Sequence, residues 1–511
     1  MNIKKNLVTG SLWIGFSLVI TSLLTYLFRY VLTKTLSIEE YGLYYAIVTV
    51  FLLAIMFVDF GISPAFVKYA SEYIGKNRKK DIKLLILDYF KFKSKTGLIY
   101  IVLTVLSARI LTKYYFRDES AFLLFIAISV VYLITTIFFN FLNSLFQAHQ
   151  DGKNYALYEI SKLIFQVIFL FIFIYFKMGI WSAVLSILIG PLMASLIFYY
   201  IYYTKYFPDF IKTRLEKNSE LIRSVRSFAY ANILFSIGGY ILTYTDTYML
   251  TYVTSLTEVG LYNVAVPTAR LVMFFSGAVT IALMPLTSSL FAKKEFKLLR
   301  QLLNMIYKLS LLFFLPIGIV LVLYSDLVLK TIFSSEYLIA KTALQILTIG
   351  MLFNLFFTIN TNILNGVGKP KINYSVTAIG AILNIILNAI LIPNYGINGA
   401  AFATSLSYLM MCFLSFIYVN KNLKSMNFNL NNIFKILIIS VVFTFSIEYL
   451  RKAIILQNPL LEGIVVVLIS GIIYLLLAMI LRIITIEGIK SIIDMYVKRK
   501  PSITEVSHEK D

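Results

Sequence analysis

Long apolar runs recur along the whole chain, and they constrain its fold more than any other feature. A helix needs about 20 apolar residues to cross the hydrocarbon core of a bilayer. Runs of that order fall near 8–33, 41–69, 94–112, 119–146, 155–177, 180–203, 226–251 and 261–291. They continue near 301–324, 337–364, 373–393, 397–419, 432–450 and 461–484, giving fourteen expected spans. The runs are continuous rather than ten-residue alternations, so they predict helices and exclude a closed β-barrel. At 59% hydrophobic and 14% charged over 511 residues, the chain is too apolar for a soluble protein of this size. The third run is the least regular, because Lys91, Lys93 and Lys95 crowd its start. The first follows a short basic start and is too long for a cleaved signal peptide, so it reads as a retained span.

The formal charge of +21 would suggest nucleic acid in a soluble chain. Here the basic residues gather in alternate connections between runs. About 32 lie on one side of the expected membrane and roughly 9 on the other, a bias that puts both termini in the cytoplasm. Two cytoplasmic termini require an even number of spans, and fourteen satisfies this. Loop topology therefore accounts for the charge, and nucleic acid is not an expected partner. No connection exceeds about 25 residues, which leaves no room for a soluble catalytic domain. The lone Cys412 forms no internal disulfide, and the histidines, His149 and His508, build no zinc motif. Neither a metal nor a cofactor is expected.

One stretch occurs twice. Residues 37–48 read SIEEYGLYYAIV and residues 255–266 read SLTEVGLYNVAV, an offset of 218 residues. A second echo has nearly the same offset: Gly179-Ile180-x-x-Ala183 returns as Gly396-Ile397-x-x-Ala400. Two echoes at one spacing predict a duplicated unit. Helices 1–6 then match helices 7–12, with the halves related by an axis along the membrane normal and a substrate path between them. The expected domains are 1–215, 216–422, and 423–511 with the last two helices and a basic tail. The expected fold class is an all-α polytopic membrane protein, two pseudo-symmetric six-helix lobes plus two further helices.

Ionisable groups inside spans cost about 3 kcal/mol on insertion scales and mark function by default. Arg29 lies late in the first run, Asp246 late in the seventh, and Arg270 about 13 Å into the eighth at 1.5 Å per residue. All three are expected in the outer half of the membrane, close to the pseudo-symmetry axis. Two cations and one anion make a net positive site suited to a phosphate or an acidic sugar. The alternative is a structural ion pair with one arginine snorkelling to headgroups. Lys68, Lys162 and Lys308 lie near cytoplasmic helix ends, where they either bind substrate or snorkel; Glu159 shares a helical face with Lys162 and can neutralise it. Asp59, before Gly61 and Pro64, suits either cation coupling or the capping of a kink. Asn140, Asn143, Asn354, Asn360, Asn384 and Asn388 suit either sugar hydroxyls or interhelical hydrogen bonds.

Three stretches resemble a known family. GSLWIGFSLVITSLLTYLFRYVLTKTLSIEEYGLYYAIVTVF (10–51) with DFGISPAFVKYASEY (59–73) resembles the opening of polysaccharide-biosynthesis flippases, which belong to the multidrug/oligosaccharidyl-lipid/polysaccharide exporter superfamily. TDTYMLTYVTSLTEVGLYNVA (245–265) is similar to that family's seventh-to-eighth helix signature. LNGVGKPKINYSVTAIGAILNIILNAILIPNYGINGAAFATSLSYL (364–409) is similar to its eleventh-to-twelfth helix region. The resemblance implies fourteen helices around a cationic cavity and alternating access. It implies a transporter in the cell membrane, not an enzyme, that moves polyprenyl- or dolichyl-diphosphate-linked oligosaccharide to the outer leaflet. Arg29 and Arg270 are the positions it would assign to the anionic headgroup, and Asp246 matches its seventh-helix acid. It also implies contact with membrane lipids and with glycosyltransferases or a polymerase of the same pathway. Two other readings stand beside it: a cation-coupled multidrug exporter of the same superfamily, and a membrane-bound polysaccharide polymerase.

Overall fold

The computed structural model describes residues 3–274, 276–423 and 430–483, and no strand is found among them. The helices are α1 (Ile3–Thr35), α2 (Ile38–Asp59), α3 (Ile62–Gly75), α4 (Lys79–Ile110), α5 (Phe122–Ile134), α6 (Asn140–Ala148), α7 (Gly152–Tyr175) and α8 (Trp181–Tyr206). They continue as α9 (Ser219–Val253), α10 (Leu256–Ala269), α11 (Ser276–Ala292), α12 (Phe296–Leu323), α13 (Ser325–Val328), α14 (Lys341–Gly366), α15 (Pro370–Asn422), α16 (Leu430–Ala453) and α17 (Pro459–Ile480). Eleven helices among the described residues are long and apolar enough to cross a membrane, so the chain is a multi-pass membrane protein.

Fourteen spans were expected, and the three not counted have identifiable places. Expected spans seven and eight correspond to α9 and to the α10–α11 pair, which are absent from the eleven. Both carry Asn, Thr and Ser among their apolar residues, and α9 also carries Asp246. Expected spans eleven and twelve share the 53-residue α15, whose backbone turns sharply at Gly396 (φ 52, ψ −131). Gly179, its partner in the second sequence echo, is likewise left-handed at φ 54.

The duplicated stretch starts a helix in both copies. Ser37 accepts from the Glu40 backbone N–H at 3.1 Å, while Glu40 accepts from that of Ser37 at 2.9 Å, a complete capping box. Ser255 caps α10 through the Glu258 N–H at 3.3 Å, but Glu258 reaches away instead, accepting from the Ile397 N–H at 3.2 Å just past the Gly396 turn. Lacking side chains, Gly42 and Gly260 let α2 and α10 touch backbone to backbone.

Packing divides the chain into two compact units, residues 1–294 with 328–422, and residues 295–327 with 423–511. The second is a small bundle in which Leu312, Ile436, Phe443, Val466 and Tyr474 share a core. Lys308 and Lys435 donate to the Ile483 and Leu481 carbonyls at 3.0 and 3.1 Å, satisfying acceptors at the end of α17. Lys308 is thus engaged at a helix end. The first unit carries every other candidate residue.

Candidate functional site

Pro267 shapes the centre of the first unit. It has no N–H to offer the Asn263 carbonyl one turn earlier in α10, so that acceptor is left open. Arg29 of α1 fills it, its Nη1 donating at 3.2 Å, with the Tyr41 hydroxyl at 3.5 Å. The guanidinium lies over the Tyr45 ring, 4.4 Å from its centroid. Three residues beyond the proline, α10 tightens into a 3₁₀ turn over Arg270–Met273, and Arg270 stands exposed on the wall of a cavity of about 250 Å³. Arg29 and Asp246 line the same cavity.

Asp246 forms no ion pair with either arginine. Its carboxylate is 4% exposed and accepts four neutral hydrogen bonds: Tyr262 Oη at 2.5 Å, Thr404 Oγ1 at 2.5 Å, Asn388 Nδ2 at 2.7 Å and Asn384 Nδ2 at 3.1 Å. Together these donors come from α10 and both halves of α15. Buried charge needs such satisfaction. The structural ion pair that was the alternative to a shared site is therefore absent, and no carboxylate among the described residues pairs with Arg29 or Arg270. Two planar guanidiniums on one cavity suit the oxygens of a phosphate, which they can hold bidentately.

A second cavity, of about 580 Å³, lies along the same helices. Asp59, at the end of α2, accepts Ser63 Oγ at 2.5 Å across the break at Phe60 and Gly61 (φ 42 and 70). It also pairs with Lys93 at 2.7 Å, and Lys93 is 1% exposed. Lys93 further donates to the Thr136 carbonyl at 3.4 Å. That carbonyl belongs to a π-helical turn, Thr135–Phe139, whose Phe138 and Phe139 carbonyls are taken by Tyr199 at 2.5 Å and Tyr158 at 2.8 Å. Side-chain donors thus serve the carbonyls that the widened turn frees.

The structure brings Arg29, Asp246 and Arg270 to one cavity and Asp59 and Lys68 to the other. Lys68 is exposed, its ammonium 4.0 Å from the Phe228 ring centroid and 4.9 Å from that of Tyr69. Lys162 lines neither; it pairs with Glu159 at 2.6 Å, and Glu159 also accepts Asn143 Nδ2 at 2.6 Å. Of the six asparagines, Asn360 donates to Ser415 at 2.8 Å, and Asn384 and Asn388 go to Asp246. Lys93 corrects the sequence reading. Read there with Lys91 and Lys95 as crowding the start of a run at 94–112, it lies inside α4, which begins at Lys79, and is among the most buried large side chains. A signal was available: a lysine within helical reach of apolar Ile86, Tyr89 and Gly97, with Asp59 alone unpaired in the preceding run.

The profile of a family described as Polysaccharide biosynthesis protein matches residues 7–291. A second, described as MatE, matches residues 228–390. An uncharacterized membrane protein of Methanocaldococcus jannaschii is 28% identical over 98% of this chain and 100% of its own length. A probable low-salt glycan biosynthesis flippase, Agl15 of Haloferax volcanii, is 31% identical over 39% of this chain and 42% of its own. A solved structure of the lipid II flippase MurJ, in an inward closed conformation, superposes with a TM-score of 0.72 at 20% identity. That superposition covers 96% of this chain and 100% of the other and shows a shared fold.

Proposed function

The chain belongs to the polysaccharide biosynthesis protein family, and we propose that it is a flippase. Its substrate is a polyprenyl- or dolichyl-diphosphate-linked oligosaccharide, moved from the cytoplasmic to the outer leaflet for cell-surface polysaccharide or glycoprotein assembly. One observation carries this reading: Arg29 and Arg270 face one cavity with a single carboxylate, Asp246, and no carboxylate among the described residues forms an ion pair with either arginine. A diphosphate supplies the missing anion. The relatives named as a glycan flippase and a lipid II flippase support the same class of cargo.

The mechanism is alternating access, with lobes 1–215 and 216–422 rocking around the headgroup while the prenyl chain stays in lipid. The proposed topology has fourteen spans with both termini cytoplasmic in a cell membrane. In that topology the start of α2 is at the outer surface, so the Gly42–Gly260 contact closes the outer side. Glycosyltransferases or a polymerase of the same pathway are the expected partners. The activity is transport and not catalysis.

Leaflet-resolved transfer of a fluorescent polyprenyl-diphosphate-oligosaccharide in proteoliposomes tests the proposal, with transfer expected only where the protein is present. The MatE match favours a second reading, a cation-coupled multidrug exporter. An organic cation needs an open carboxylate. Asp59 is paired with Lys93 and Asp246 already accepts four donors, which weighs against that reading.

A further inference from the structure

We propose that the second cavity is a sugar-binding site, occupied by the first residues of the glycan while Arg29 and Arg270 hold the diphosphate. This rests on the flippase reading above. The cavity wall is amphipathic in the sense a carbohydrate requires. Thr136, Asn140, Asn143, Ser144 and Gln147 all line it, and their spacing puts them on one face of a helix. Asn140 and Gln147 are exposed at that wall. Asn143 spends its Nδ2 on Glu159, but its buried Oδ1 has no hydrogen-bond partner. A carboxamide offers a donor and an acceptor side by side, the complement of a sugar hydroxyl. Tyr155 and Tyr240 add aromatic surface for the apolar faces of a sugar ring. Lys68 contributes a cation that no carboxylate among the described residues pairs with.

Position supports the same assignment. Three helical stretches contribute to both cavities about one turn apart: Leu52 and Ile55, Tyr132 and Thr136, Tyr244 and Tyr240. One turn is about 5.4 Å. The Tyr240 and Tyr244 rings stack with centroids 5.9 Å apart, joining the two walls. A sugar esterified to a diphosphate must lie about that far from the phosphates. At about 580 Å³ the cavity is also within the usual size of ligand sites.

The test measures binding of four lipids to the purified full-length protein: bare polyprenyl diphosphate, and the same lipid bearing glucose, N-acetylglucosamine or glucuronic acid. At least one sugar-bearing lipid is expected to bind about tenfold more tightly than the bare one, the worth of one or two good hydrogen bonds. The Asn140→Leu/Gln147→Leu variant should abolish that preference and keep the affinity for the bare lipid, which also reports that it is folded. If the double variant does not fold, Asn140→Leu alone takes the same comparison. Equal binding of all four lipids to the wild type would overturn the sugar site and leave the flippase reading intact, as would a preference that survives the variants. Failure of the wild type to bind any of them would overturn both.

Discussion

Gly42 and Gly260 hold equivalent positions in the duplicated stretch, and they meet each other. A β-carbon on Gly42 would lie 1.8 Å from the Leu256 carbonyl oxygen, and one on Gly260 would lie 2.3 Å from that of Ile38. The repeat therefore packs against its own copy, as expected of elements beside a pseudo-symmetry axis. Replacing Gly42 with leucine must push α2 and α10 apart, at a cost of about 1–3 kcal/mol. Thermal unfolding in detergent should show that loss for Gly42→Leu. The control Gly471→Ala, with nothing within 4 Å of the added carbon, should show no such loss.

The Asp59–Lys93 pair predicts a non-additive response. Asp59→Asn leaves an ammonium that is 1% exposed without its counter-ion, which should cost about 3 kcal/mol. Adding Lys93→Met removes the stranded charge and should recover most of that stability. A double-mutant cycle by thermal unfolding checks this; purely additive losses would mean the pair is not coupled.

Asp246 should tolerate an isosteric change far better than an apolar one. Asp246→Asn keeps one carbonyl acceptor, whereas Asp246→Leu leaves the donors of Tyr262, Thr404, Asn384 and Asn388 unsatisfied. At about 1–3 kcal/mol for each buried orphan, the leucine variant should express as little or no folded protein. Size-exclusion profiles of the two variants provide the comparison.

Much of this arrangement is legible from the residues. The apolar runs located most of the helices because the bilayer forces every backbone group into internal hydrogen bonds, whereas the repeat marked α2 and α10 as counterparts without showing that they touch. Arg29, Asp246 and Arg270 drew attention because charge inside an apolar run is costly. Their partners were not legible. Which carbonyl Pro267 frees follows from local sequence, but that Arg29 of α1 occupies it depends on how two distant helices cross. Asp246 looked like a counter-ion because linear sequence shows charges, while four neutral donors gathered from α10 and α15 become visible only in three dimensions. Lys93 was hidden by its neighbours, since Lys91 and Lys95 gave a buried residue the look of a loop.

His149 predicts a pH effect at the short turn between α6 and α7. Its Nε2 lies 3.2 Å from the Tyr202 hydroxyl, and burial pushes its pKa from 6.5 down to about 4, against the opposing pull of Asp151. Between those values the unfolded chain binds a proton that the folded one does not. Stability from this group is therefore complete above pH 6.5 and is lost as pH falls towards 4. The melting temperature of the wild type should drop over that window more steeply than that of His149→Gln, and parallel curves would discount the effect.

The central claim is that Arg270 and Arg29 hold an anionic headgroup during its passage across the membrane. It is tested most directly by initial rates of leaflet transfer of a polyprenyl-diphosphate-oligosaccharide in proteoliposomes, for wild type, Arg270→Lys and Arg270→Gln. Loss of a charge-assisted contact is worth about 1.5–3 kcal/mol, so transfer by Arg270→Gln should fall at least about tenfold, with Arg270→Lys in between. Wild-type rates in both variants would contradict a basic substrate site, and no transfer by the wild type, with ion-dependent efflux of an organic cation instead, would contradict the flippase.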